Sequence, residues 1–588
     1  MLSQAPLKSA LARILCGAFV TGALLAGCAQ QPAQRSGEQA ALQRTAAAGG
    51  EEKRAVPAPQ PKSEAKPELP KQELSREILY ELLLAEVAGQ RGNPAVAAQA
   101  YADLARQTRD PRIARRATEI ALFAHMNTLA IESARIWHET DPGSRRSLQV
   151  LAGLLVNAGQ LEEAEPHLKE LLSSEGNVAN AFAQLGRTLA GAKDKEGALR
   201  VVQDLALGHA DVPQAHYAVA QVAFAAGHDD LALKEVRTAR ELRPDWDGAV
   251  LLEAEVLQKR SGDEALASLA DYLQKYPNSR EVRLAHARML VTQKRYADAR
   301  GEFQKLLQDF PGNADVVYAV ALLSVQLHDY PLAEENLRRL LDMDYRDKDG
   351  IRLYLGQIAE EQNKYDDALK WYSSVDAGEQ FIPAQIRYAQ VLSKQGKLDE
   401  ARARLRKMAA SGGEQRVQLI LAEAQLLRDA KREQEAFDFI GKALAAEPDQ
   451  PELLYDYAML AERVDQMDVL ESSLRKLIKI RPDYAHAYNA LGYSLAERNM
   501  RLGEARQLIE QALKLAPDDS FIVDSMGWVL YRMGDIPEAL SWLRKAFAER
   551  PDPEIAAHLG EVLWVTGKRG EAEKVWAKRP RRTPRTKP

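Results

Sequence analysis

The sequence predicts an all-α solenoid of about fifteen helix pairs, and three observations carry that prediction. Alanine and leucine are abundant, while Phe, Trp and Tyr make up only 6% of 588 residues, a balance that favours helix over sheet. A small residue recurs in one local setting at Ala97, Ala130, Ala164 and onward to Ala539 and Ala572, in steps of 33, 34 or 35 residues, with Leu470 in the single place where it is missing. A second small residue stands twelve positions before many of these alanines and a proline twelve after, as at Gly527, Ala539 and Pro551.

Taken in order, residues 1–27 read as an export signal. Lys8 and Arg13 supply the positive end, and Ile14 to Leu25 form an apolar run too short for a permanent span, which needs ~20 residues. The run ends Leu25-Ala26-Gly27-Cys28, which resembles the lipobox of bacterial lipoproteins. That resemblance implies cleavage before Cys28 and acylation of its thiol and new amino terminus. Cys16 would leave with the leader, so Cys28 would be the single cysteine of the mature chain. Several acyl chains give durable anchoring where one gives marginal binding. Ala29, in place of an aspartate, implies sorting to the outer membrane, periplasmic face. Loss of Lys8 and Arg13 takes the formal charge from -5 to -7.

Residues 28–74 form the lipidated cysteine and a Pro/Ala-rich tether with almost no large apolar side chain. Such a segment buries too little surface to offset chain entropy, so it is expected to be disordered. Residues 75–577 hold the helix pairs. Residues 578–588 carry Lys578, Arg579, Arg581, Arg582, Arg585 and Lys587 and no acid, which leaves about -13 on the rest of the mature chain. This basic tail reads as a solvated, disordered end.

The frame explains the period. In the stretch from Asp524 to Pro551, Gly527 lets a second helix cross the first closely, Met533-Gly534-Asp535 makes the turn, Ala539 is the small residue of the second helix, and Pro551 opens the next unit. The pattern resembles the tetratricopeptide repeat, a helix–turn–helix unit of 34 residues. The resemblance implies a right-handed superhelix whose first helices line a groove and whose second helices form the outer face. Departures are local: Leu470, Tyr345 in place of a proline, and one extra residue around Arg498–Arg501.

No catalytic constellation is present in the sequence. There is no phosphate-binding glycine loop and no H-E-x-x-H, and the ten histidines are scattered, so neither a metal nor a cofactor is expected. The chain reads as a binding protein, not an enzyme, with no nucleic-acid or small-molecule substrate. Counting from Gly492, Gly527 and Gly560, the groove positions implied by the resemblance are Asn489, Tyr493, Asp524, Trp528, Tyr531, Arg532, Glu561 and Trp564. Trp, Tyr and Arg are the usual anchors of protein interfaces. The period leaves open whether these rings line the groove or pack between repeats. Further positions, among them Asn180, Arg187, Tyr217, Gln221, Arg288, Tyr318 and Gln357, form no single-sign stripe. The first helix, ILYELLLAEV from Ile78 to Val87, is apolar on nearly all sides, and Ile78, Leu79, Leu82 and Leu83 are either covered by a neighbour or used for docking.

The lipobox, the tether, the long array and the ending from Asp524 to Trp576 together resemble a family of proteobacterial outer-membrane lipoproteins. Some of its members are adaptors that bring carboxyl-terminal processing proteases to cell-wall hydrolases. The resemblance implies a scaffold with a periplasmic protease and envelope enzymes as partners. The other reading is an assembly or stability factor for an outer-membrane secretin, pilus or exopolysaccharide export machine.

Overall fold

A computed structural model describes residues 69–174, 176–410 and 415–577. These residues form thirty α-helices of nine to fifteen residues and no strand. The first runs Arg76–Gln90, with the Ser75 hydroxyl accepting from the Ile78 N–H, and the last runs Arg569–Ala577. No helix among the described residues is long and apolar enough to cross a membrane. The leader, Cys28, most of the tether and the basic tail lie outside the described residues.

The helices come in antiparallel pairs, and the recurrent alanine falls on the second helix of each. All fourteen of these alanines, and Leu470 in the odd place, are fully buried. The close crossing is visible at Gly527 on the helix Ser520–Met533. A Cβ there would meet the Leu543 side chain at 2.6 Å and the Ala539 carbonyl oxygen at 3.1 Å. At Gly492, on the helix Ala485–Glu497, it would meet Ile509 at 2.7 Å and the Ala505 carbonyl at 2.9 Å. The two small residues therefore sit on each other's helix, twelve or thirteen positions apart in sequence, and the larger apolar side chains pack around them.

The turns inside the pairs share one device. Gly534 adopts φ 90°, and the Asp535 N–H reaches back to the Leu530 carbonyl at 2.9 Å, closing the end of the first helix. Asp535 then caps the second helix by accepting from the Glu538 N–H at 3.3 Å. The same left-handed residue is supplied without glycine at His125, Lys294, His328, Asn363, Lys431, Asp465 and Asn499. The expected extra residue shows as a second left-handed residue, Arg501 at φ 42°, before the helix Leu502–Leu515.

The described residues form two compact units, one up to Asn336 and one from Leu337. In the first, ion pairs join successive second helices, among them Arg106 to Glu132 at 2.5 Å and Arg135 to Glu163 at 2.7 Å. In the second, Arg544 reaches Glu571 at 2.6 Å, and Arg475 and Arg501 both engage acids of the neighbouring pair. Such exposed pairs each contribute at most ~1 kcal/mol. Registration comes from the buried apolar row.

Candidate protein-binding site

A cluster of polar and aromatic groups lies on three consecutive first helices, Ala485–Glu497, Ser520–Met533 and Pro553–Val565. The middle helix touches both others. His558, which the sequence reading did not single out, is at its centre and is 8% exposed. Its Nδ1 lies 2.7 Å from Asp524 Oδ2 and its Nε2 lies 3.2 Å from Tyr493 Oη. Its ring stacks on Trp528, with centroids 4.3 Å apart and planes 24° apart. Trp528 Nε1–H donates to Glu497 Oε2 at 2.7 Å.

Burial by itself would lower the His558 pKa. The hydrogen bond to Asp524 and the charges of Asp524, Glu554 and Glu497 outweigh it and hold the pKa above the usual histidine value. Charged, the ring donates Nδ1–H to Asp524 and Nε2–H to Tyr493, and it presents a cation to the indole face. Burial, with neighbouring carboxylates, pushes the Tyr493 phenol up. Both imidazole nitrogens are thus committed to protein partners, so neither is aimed at a substrate atom.

The eight residues expected on the groove divide into three kinds. Asp524 and Trp528 are 3% and 4% exposed, buried between first helices instead of standing on exposed positions, because the indole fills the space above His558. Asn489, Tyr493, Tyr531 and Arg532 are half-buried. Tyr531 lies 5.2 Å from Trp528, and its hydroxyl reaches Glu561 Oε1 at 3.5 Å. Arg532 covers Trp528 at 5.9 Å and donates to the Glu497 carbonyl at 3.1 Å. Glu561 and Trp564 are exposed; the Trp564 ring stands 5.6 Å from Trp576 with Arg569 over it. Two acceptors in the row, Asn489 Oδ1 and Asp524 Oδ1, are shielded from water and carry no hydrogen bond. Asn489 and Asp524 each stand three residues before the small residue of their helix.

The signal that locates His558 is present in the sequence. It lies 34 residues after Asp524, one repeat on, the spacing at which neighbouring first helices bring side chains together. Lys394 and Glu360, 2.7 Å apart, use the same spacing.

The first helix behaves differently on its two faces. Ile78 and Leu82 are half-buried against the core that holds Ala85, Tyr101 and Leu104, while Leu79 and Leu83 are 42% and 55% exposed beside exposed Tyr80 and Val87. The proposed docking residues therefore split into two that hold the helix down and two that face water. A third feature is a pocket of about 550 Å³ among the helices Leu398–Ala410, Arg416–Asp429 and Glu433–Ala446. Its cations are largely spent on its own acids: Arg402 and Arg406 both bind buried Glu423, at 2.9 and 2.7 Å.

Known proteins bear on this arrangement. The tetratricopeptide-repeat profiles match residues 256–323, 318–380, 382–407, 470–520 and 525–545. The TPR repeat-containing protein PA4667 of Pseudomonas aeruginosa is 36% identical over 489 residues, covering 83% of this chain and 82% of that protein. The chain belongs to the tetratricopeptide-repeat family. Among solved structures, the Cut9–Hcn1 tetramer of the APC/C matches 83% of this chain and 97% of its own at 18% identity and a TM-score of 0.28. The thermophilic TPR protein TTC0263 of Thermus thermophilus matches 29% of this chain and 92% of its own at 23% identity and a TM-score of 0.27. As a tetratricopeptide-repeat protein the chain is a scaffold for protein–protein contacts, of a type that is ordinarily non-catalytic.

Proposed function

We propose that the protein is a periplasmic adaptor, anchored to the outer membrane through Cys28, that holds an extended segment of a partner along the first helices of its last three repeats. The observation that supports this reading is the row of polar and aromatic side chains open to solvent on neighbouring first helices: half-buried Tyr531 and Arg532, and exposed Glu561 and Trp564. The aromatic rings supply the apolar contact area. The resemblance to protease adaptors directs the choice of partners: a carboxyl-terminal processing protease docks on Leu79 and Leu83, and cell-wall hydrolases are presented along the row.

Photo-cross-linkers at Tyr531, Trp564 and Leu83 test the reading in intact cells. The expected yield is envelope hydrolases from the first two and a periplasmic protease from the third. A secretin or β-barrel captured in their place establishes the assembly role, and no capture above that of a cross-linker at Lys545 removes the groove. Cys28→Ser is expected to release the chain from the outer-membrane fraction; retention there removes the lipid anchor.

A further inference from the structure

The ten histidines look scattered in the sequence, but folding brings two of them together on the outer helices. His138 ends the helix Asn127–Thr140, and His167 lies on the helix Leu161–Ser174, the second helices of consecutive repeats. Their rings meet edge to face with centroids 5.3 Å apart. Glu170 follows His167 by three positions, on the same helix face. One ligand atom from each of the three residues falls within 4.8 Å of the other two. His138 and His167 are half-buried and Glu170 is exposed, so the cluster opens to solvent on one side.

The hydrogen bonds around the cluster orient it. Ser147 is fully buried, and its hydroxyl donates to the Ser144 carbonyl at 2.8 Å and the Asp141 carbonyl at 3.3 Å. With its proton on the nearer Ser144 carbonyl, Ser147 Oγ accepts from His138 Nδ1, 3.3 Å away. In the tautomer with the proton on Nδ1, which this contact favours, the Nε2 lone pair is available to a metal. Metal-binding histidines are characteristically held in this way, by a second hydrogen bond on the ring nitrogen that does not bind metal. The nearby cation does not compete, because Arg135 is engaged by Glu163 through two contacts of 2.7 Å. Among the described residues, neither His167 nor the Glu170 carboxylate has a side-chain hydrogen bond or ion pair of its own.

From this geometry we infer that His138, His167 and Glu170 form a binding site for a divalent transition-metal ion, zinc in the first instance. Two imidazole nitrogens and one carboxylate oxygen are a borderline donor set that suits zinc, copper or nickel and not the all-oxygen shells of calcium and magnesium. Ligand atoms around tetrahedral zinc stand about 3.3 Å apart, from Zn–N and Zn–O distances near 2.0–2.2 Å. Rotation of the exposed Glu170 side chain and a small swing of His167 close the remaining gap. Three protein ligands leave a fourth position open to water or to a side chain of a partner. Bound metal would clasp the second helices of two consecutive repeats, a contact that weak surface ion pairs otherwise supply.

The test is calorimetric titration of the full-length chain, without a polyhistidine tag and stripped by chelator, with zinc chloride, and with copper and calcium salts as comparison. The expected result is about one equivalent of zinc, a rise in melting temperature reversed by EDTA, tighter copper binding and no calcium binding. His138→Ala and His167→Ala should each weaken zinc by at least tenfold, and Ser147→Ala by about tenfold through loss of ring orientation. Glu170→Gln, at an exposed position that leaves packing untouched, should weaken it too. Cobalt loading should give the visible bands of a four-coordinate site in the parent chain and not in His167→Ala. Zinc binding unchanged in both Glu170→Gln and the His138→Ala/His167→Ala double variant overturns the proposal, as does the absence of zinc binding by the parent chain.

Discussion

The two ends of the repeat array solve opposite problems with similar helices. The helix Arg76–Gln90 turns apolar side chains to water, with Leu83 55% and Tyr80 67% exposed. The first helices from Ala485 to Val565 turn polar and aromatic groups inward, burying Asp524, His558 and Trp528. An exposed apolar face is unfavourable in water until a partner covers it, and it discriminates weakly between partners. A buried, mutually oriented polar cluster is rigid and directional, and each orphaned acceptor in it has a definite geometry to satisfy. The first helix is thus a sticky edge, whereas the last three described repeats form a shaped and polar surface.

The largest effect expected is at Trp528. Replacing it with alanine removes the ring that stacks on His558 and should cost about 3–5 kcal/mol of local stability. Hydrogen exchange of the helices Ser520–Met533 and Pro553–Val565 reads this directly, and wild-type protection in the variant would erase the rigid half of the comparison. Asp524→Asn keeps the shape and removes the charge, so about 1–3 kcal/mol is expected, with faster exchange in the same two helices.

The next effect is a dependence on pH. The folded-state pKa of His558 is raised, so the folded chain holds this proton more tightly than the unfolded chain. The stabilisation is full below the unfolded value near 6.5 and fades as pH rises through the raised folded value. Exchange protection of the helix Pro553–Val565, corrected for intrinsic rates, should therefore be higher at pH 6 than at pH 8.5, and His558→Gln should abolish the difference. A dependence of the opposite sign would mean that burial prevails over Asp524.

The smallest effect on stability belongs to the sticky edge. Leu79→Ser and Leu83→Ser should change stability by no more than about 0.5 kcal/mol while reducing cross-linking from that helix. Leu82→Ser, on the face that meets Tyr101 and Leu104, should destabilise by more than either. Equal melting shifts for Leu82 and Leu83 variants would dissolve the distinction between the two faces.

The repeat was legible because its cause is local. Gly527 and Ala539 stand twelve residues apart, and the turn between them is read from Gly534 and Asp535. Leu470 was legible as a departure, and the structure keeps it buried where the alanines are. The direction of the C-terminal rings was not legible. Tyr531 and Trp564 are equivalent by position, four residues after Gly527 and Gly560, yet Tyr531 is half-buried and Trp564 is 40% exposed, because Tyr531 has a further repeat on each side and Trp564 belongs to the last described pair. His558 was not legible because its importance comes from Asp524 and Tyr493, not from its own neighbours in the chain.

By itself, then, the sequence determined the helix class, the repeat length and the row of buried small residues, because close helix crossing within a pair is a matter of residue size at a separation of about twelve positions. The tertiary structure decided which polar groups meet. His138 meets His167 across 29 residues, Asp524 meets His558 across 34, and Tyr493 meets His558 across 65. Such encounters depend on how one repeat stacks on the next and which way each side chain leaves its helix, and a period alone does not specify side-chain direction.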